Sequence, residues 1–314
     1  MRSDTTTITS PQDGLQLFVR TWLPDGDAKA VVQMAHGMAE HSGRYERFAQ
    51  ALTDAGYAAW MHDHRGHGET STEQTDRGYY ADDHGWDTVV EDMHTVTRAI
   101  AEAHPGLPLF FFGHSMGSLL GRDYITRYGQ DLVGAVLSGT AANPGLLGKV
   151  GQGLASVESR IRGRRNTSKL MDAMTFGSYN KPFKDEGDFA WLSRDRAEVR
   201  KYIEDPRCGE VFTSGFFADL LGGVNRLQGL AARVPRDLPL LVISGEQDPV
   251  GGKDGAGVRA AAEAFRAGGV EDVTLKLFPG ARHELLNETN RDEVTDLVIS
   301  WLDDHLPTKG ERLP

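Results

Sequence analysis

The sequence predicts an α/β fold: a mostly parallel central sheet flanked by helices, interrupted by an inserted helical cap. Three observations carry this. Short apolar runs alternate with longer helix-patterned segments over residues 1–141 and again over 236–314, as strands joined by crossover helices do. Residues 142–235 between them hold helix-like segments and little strand-like alternation. One apolar run, LPLFFFGHSMGS, passes straight into a Gly-Ser-Gly turn and then a helical pattern. The expected organisation is therefore a core of residues 1–141 and 236–314 with a cap, or lid, at 142–235.

The elements follow in order. TTTITS and LQLFVRTW flank Pro11-Gln12-Asp13-Gly14 and read as an antiparallel hairpin closed by an Asp-Gly turn. AVVQMAHG is a strand, YERFAQALTDAG a helix and YAAWMHDHRG a strand; a helix is expected near residues 86–103. LPLFFFGHS is a strand, followed by a helix through about Tyr128 and the strand LVGAVLSG. The alternation stops near Asn143-Pro144 and resumes near Pro235 with the strand DLPLLVISGEQD, an alanine-rich helix, the strand DVTLKLFPG and an amphipathic helix ending at WLDDHL. In the insertion, LLGKVGQGLASVESRI, SKLMDAMTF, WLSRDRAEVRKYI and TSGFFADLLGGVNRL read as helices. The terminal PTKGERLP reads as a frayed tail.

Composition narrows the function classes. The 314 residues with 39% hydrophobic content suffice for a full core. A formal charge of −11 argues against nucleic acid as a partner, because neutralising phosphates needs a basic face. One cysteine, Cys208, excludes an internal disulfide framework. The N-terminus MRSDTTTITS lacks the apolar region of a signal peptide, and no stretch approaches the roughly 20 apolar residues of a membrane span. The expectation is a soluble, cytoplasmic protein.

The chemistry starts at Gly113-His114-Ser115-Met116-Gly117, which fits G-x-S-x-G, the elbow that lifts a nucleophilic serine clear of a sheet. Gly113 and Gly117 remove side chains where strand and helix backbones approach each other. A serine hydroxyl needs a base and an orienting acid, and in this architecture they follow in the order serine, acid, histidine. The strand LPLLVISGEQDPV ends on Asp248, placed at the loop tip by Pro249, with Glu246 and then Asp254 as rival carboxylates. LKLFPGARHE ends on His283; His305, the other downstream histidine, falls in the last helix. The oxyanion needs two backbone N–H groups: Met116, which follows the nucleophile, and Met38, after the strand ending His36-Gly37.

At HGMAEHSGRYERFAQAL, DHRGHGET, GHSMGS and FPGARHELLNE, taken in order, the chain resembles the α/β-hydrolase group that contains monoacylglycerol lipases and bacterial lysophospholipases. FGSYN, WLSRD and DPRCG in the cap add to the likeness, which covers nearly the whole chain. The resemblance implies Ser115 as nucleophile, Asp248 as acid, His283 as base and Met38 with Met116 as oxyanion donors. It implies a serine hydrolase of carboxylic esters that needs no cofactor, and it fixes the reaction better than the substrate, since related sequences include lysophospholipases and broader carboxylesterases.

Single-chain lipid esters, monoacylglycerol foremost, are the expected substrates, with Leu146, Leu147, Met174, Phe176, Phe216, Phe217 and Leu220 of the cap as the expected lining of an acyl channel. The competing use of these residues is the cap's own core. The arginines of SRIRGRR read as a solvated surface, with transient peripheral membrane contact through the cap as the alternative. His62-Asp63-His64-Arg65-Gly66-His67 crowds potential metal ligands, but Gly66 stands where H-x-H-x-D-H requires aspartate, so no metal is expected. Two other readings differ in kind: a non-catalytic ligand receptor, which has no need of all three catalytic residue types, and a carbon–carbon bond hydrolase or cofactor-free peroxidase using the same triad.

Overall fold

A computed structural model describes all residues except 72, 74, 75, 142–144 and 309–314. The first two strands, β1 (Arg2–Thr9) and β2 (Gln16–Leu23), form the expected hairpin, paired antiparallel from Arg2 opposite Leu23 to Thr9 opposite Gln16. Next come β3 (Ala30–Ala35), α1 (Glu46–Asp54), β4 (Tyr57–His62), α2 (Gly85–Ala103), β5 (Leu109–His114), α3 (Met116–Tyr128) and β6 (Gly134–Ser138). After the insertion follow β7 (Leu240–Gly245), α8 (Ala256–Gly268), β8 (Val273–Phe278) and α9 (Arg291–Asp304). The eight strands form one sheet in the order β1-β2-β4-β3-β5-β6-β7-β8, parallel from β4 to β8.

The run Leu109-Phe110-Phe111-Phe112 is continuously apolar because β5 is covered on both faces. Successive side chains of a strand point to opposite sides. Phe111 joins the core with Val89, Met93 and Leu120 of α2 and α3, while Phe110 and Phe112 join the opposite core with Phe48, Val298 and Trp301 of α1 and α9. β1, by contrast, is an exposed edge strand rich in threonine.

Between β6 and β7 the chain forms α4 (Gly145–Arg162), α5 (Lys169–Phe176), α6 (Arg196–Glu204) and α7 (Ser214–Arg226). The tryptophan of WLSRD lies ahead of α6 rather than within it. Asp195 starts that helix by accepting the N–H groups of Ala197 and Glu198, the usual use of aspartate at a helix N-cap. α7 is locked to α2: a Cβ on Gly223 would fall 1.9 Å from the Trp86 ring, whose Nε1–H donates to Asp123 at 2.7 Å. Phe183, Trp191, Leu192, Val199 and Tyr202 make a separate small core. The expected core–cap boundary at 141/142 abuts residues 142–144, outside the described residues, as are Asn143-Pro144 and most of PTKGERLP. Among the described residues no helix is long and apolar enough to cross a membrane.

Candidate active site

The parallel strands deliver their carboxyl ends to one rim of the sheet, where ligands of open α/β sheets bind. Ser115 follows β5 with φ 52° and ψ −118°, a backbone conformation that side-chain-bearing residues rarely adopt. Close packing enforces it. A Cβ on Gly113 would lie 2.5 Å from the Gly117 carbonyl oxygen, and one on Gly117 would lie 2.2 Å from that of Ala35. The Ser115 N–H donates to Ser138 O at 2.8 Å, tying the turn to β6.

His283, on the loop after β8, places Nε2 2.8 Å from Ser115 Oγ and Nδ1 2.8 Å from Asp248 Oδ2. Asp248 is buried and held by Ser244 Oγ at 3.1 Å and the Val250 N–H at 2.8 Å. The rival carboxylates Glu246 and Asp254 are exposed. His305 lies at the end of α9, 3.1 Å from Asp272. Burial disfavours a charged His283. Together, the charge and hydrogen bond of the Asp248 carboxylate and the charges of Glu284 and Glu40 outweigh it, and the imidazole pKa is raised above its ordinary value. Burial pushes the neighbouring His114, 4.8 Å away ring to ring, down to about 4, which keeps it neutral beside the base.

Met116 follows the serine and Met38 lines the cavity at Ser115, and neither N–H is engaged by a described residue. The adjacent Gly37 N–H is not available, because it donates to Glu40 Oε1 at 2.6 Å. Glu40 also accepts from Tyr45 OH at 2.9 Å and pairs with Arg44, which grips Glu284 through two bonds of 2.6 and 2.7 Å. This bridge ties the loop after β3 to the loop carrying His283. The motif HGMAEHSGRY contains Glu40 and Arg44, but the partner Glu284 lies 240 residues from Arg44 and sequence gave no sign of the pairing.

A cavity of about 100 Å³ opens at Ser115, lined among others by Met38, Asp172, Phe176, Phe189, Trp191, Tyr202 and Glu210. Of the seven residues expected to line an acyl channel, Phe176 is there. Leu146 and Leu147 are 77% and 81% exposed and Met174 is 50% exposed, all directed to solvent. Phe216, Phe217 and Leu220 are buried in the main core, where the Phe216 and Tyr80 rings meet at a tilt with centroids 4.4 Å apart. The reason is the docking of α7 on α2, which assigns the apolar face of α7 to packing. The cavity wall comes instead from α5 (Asp172, Phe176), the segment between α5 and α6 (Phe189, Trp191), α6 (Tyr202) and the turn after it (Glu210).

The histidines of HDHRGH are buried beneath this rim, and burial lowers His62 and His67 to about 3. His36 Nε2 accepts the His64 N–H at 2.9 Å, so the cluster supports the end of β3. Elsewhere, His41, Asp205 and Cys208 bring potential metal-ligand atoms within 4.8 Å of one another. The His41 Nδ1 accepts the Gly43 N–H, which puts the ring proton on Nε2, 2.8 Å from Asp205, and burial pushes the Cys208 thiol far up. These groups form a hydrogen-bonded link between two loops and do not suit a cation.

A family model described as Serine aminopeptidase, S33 (Hydrolase_4), matches residues 26–290. The chain belongs to this α/β-hydrolase family. It is 32% identical to a monoacylglycerol lipase of Mycolicibacterium smegmatis, covering 93% of this chain and 95% of the relative. It is 30% identical to the human monoglyceride lipase, covering 96% and 91%. Among solved structures, a thermostable carboxyl esterase from Bacillus coagulans superposes with a TM-score of 0.90 at 27% identity, covering 98% of this hydrolase and all of the esterase. The protein is an enzyme of the serine-hydrolase class.

Proposed function

We propose that this hydrolase cleaves carboxylic esters of single-chain lipids, monoacylglycerols foremost, through an acyl-enzyme on Ser115. The observation that carries the reading is the unbroken chain Ser115 Oγ, His283, Asp248, with both links at 2.8 Å and two unengaged N–H groups beside the serine. His283 Nε2 takes the Ser115 proton as Oγ attacks the ester carbonyl. Asp248 holds Nδ1–H and favours the imidazolium, and the Met38 and Met116 N–H groups receive the oxyanion. His283 then protonates the departing alcohol, activates a water against the acyl-enzyme and releases the fatty acid. The monoacylglycerol lipases of M. smegmatis and human, alike over more than nine-tenths of this chain, support glycerol as the alcohol.

Residues 142–235 act in this reading as a cap that meets the lipid. From Leu147 through Val150, Leu154 and Val157 to Ile161, apolar residues repeat at intervals of three or four along α4, and with Leu146 all are at least 43% exposed, with Arg160 and Arg162 at the helix end. Such a face suits a peripheral lipid surface. A second reading, a short-chain carboxylesterase, is favoured by the likeness to the carboxyl esterase of Bacillus coagulans, with a TM-score of 0.90 at 27% identity. Hydrolysis of 1-monoacylglycerols from acetate to oleate, measured beside dissolved p-nitrophenyl esters, separates them. A kcat/KM that rises with chain length supports the lipase; an optimum at acetate overturns it in favour of the esterase.

A further inference from the structure

The loop that carries the base is covered by residues 190–195 of the insertion. The Ala190 and Leu192 carbonyls accept from Arg282 Nη1 at 2.7 Å and from the Glu284 N–H at 2.8 Å. Glu288, fully buried, accepts the Arg194 N–H at 3.1 Å, the Arg194 Nε–H at 2.8 Å and the Arg282 N–H at 2.9 Å. Trp191, fastened on both sides in this way, sets its indole against the catalytic imidazole, with ring centroids 5.0 Å apart and planes inclined by 38°. Tyr179 and Phe176 pack on the same indole at 5.1 and 6.2 Å, and Trp191 is buried. Ser115 and Asp248 hold the two nitrogens of His283; the ring itself lies against Trp191.

We propose that Trp191 is a positioning residue for the catalytic base: its indole fixes the His283 ring between Ser115 and Asp248 and favours the imidazolium that forms as the serine attacks. The proposal rests on the ester-hydrolase reading and deepens it at the base. As Oγ attacks, the Ser115 proton moves to His283 Nε2 and from there to the departing alcohol; the indole exchanges nothing. A cation within about 6 Å of an indole centroid is attracted by the negative face of the ring, more strongly where water is excluded, whereas the neutral imidazole gains little. An interaction stronger in the transition state than in the ground state raises kcat and leaves KM alone. The charged groups that act on His283 belong to other residues. Asp248, Glu284 and Glu40 favour the imidazolium, the neutral His114 stands 4.8 Å away, and Arg282 is turned to Glu186 and the Ala190 carbonyl. All of them remain when Trp191 is replaced.

The test measures hydrolysis of dissolved p-nitrophenyl butyrate by Trp191→Leu, which keeps an apolar cover without a ring, and by Trp191→Phe, which keeps a ring. Trp191→Leu should lower kcat about tenfold with KM changed less than about twofold. Losing a contact that favours the protonated base lowers its pKa. The acid limb of kcat/KM should therefore move down by about half a pH unit or more in Trp191→Leu, and Trp191→Phe should recover most of both losses. An imidazolium beside an excited indole quenches its emission. Wild-type tryptophan fluorescence, less that of Trp191→Phe, should fall as pH drops through the same limb, which keeps the test intact if Trp191→Leu does not fold. An unchanged kcat or an unmoved acid limb in folded Trp191→Leu, or a difference fluorescence that does not follow the limb, overturns the proposal. No ester turnover by the wild type overturns the ester-hydrolase reading and the proposal with it, an outcome distinct from the absence of an effect in a variant.

Discussion

Ser115 holds a strained backbone because two glycines let β3, β5 and α3 close around it, and that strain presents its hydroxyl to His283. Ser115→Ala is expected to lower ester turnover by roughly 10⁴-fold or more with the melting temperature little changed. Asp248→Asn keeps the size but loses the charge that raises His283, whereas Glu246→Gln, on the exposed side of the loop, should be near neutral. Only neutral His283 can take the serine proton. A raised pKa therefore places the acid limb of kcat/KM above the ordinary histidine value of 6.5, with activity lost as pH falls through it. A limb below 6.5 in a profile measured with a dissolved ester would contradict the assigned electrostatics. These residues were legible in sequence because each follows an apolar strand whose end the pattern locates. Trp191, Tyr202 and Glu210 were not, since nothing local in WLSRD, in the helix RAEVRKYIE or in DPRCGE signals that these segments fold over Ser115.

The two helices α4 and α7 of the insertion show what periodicity can and cannot say. Both repeat apolar residues at helical spacing, yet α7 faces Trp86 and the main core while much of α4 faces solvent. Sequence revealed that an apolar face exists, and the tertiary contact decides what covers it. Phe217 is fully buried, so Phe217→Ala should destabilise the fold by about 3–5 kcal/mol, read as a lowered denaturant midpoint, and should affect short and long esters alike. Val157→Glu with Ile161→Glu should leave hydrolysis of dissolved monobutyrin intact and reduce that of monoolein in vesicles severalfold. Equal rates on vesicles for wild type and variant would remove α4 from lipid contact.

Across the whole molecule, the order of elements and the parallel sheet were readable because strands buried on both faces are continuously apolar and punctuated by glycine turns. The charge balance inside was not. His36, His62, His64, His67 and His114 are buried, with pKa values lowered chiefly by loss of hydration. The unfolded chain therefore binds protons that the folded one resists, and stability falls as pH drops from about 6.5, at up to about 1.4 kcal/mol per unit for each such histidine. Denaturant midpoints measured at pH 7.5 and pH 5 should differ accordingly, with the lower value at pH 5. The account as a whole depends on one covalent event at one atom, and a fluorophosphonate probe followed by peptide mass spectrometry reads it most directly. Stoichiometric modification of Ser115, lost in Ser115→Ala together with ester hydrolysis, is the predicted result; a modified residue elsewhere, or a Ser115→Ala protein retaining about a tenth of the activity, would contradict it.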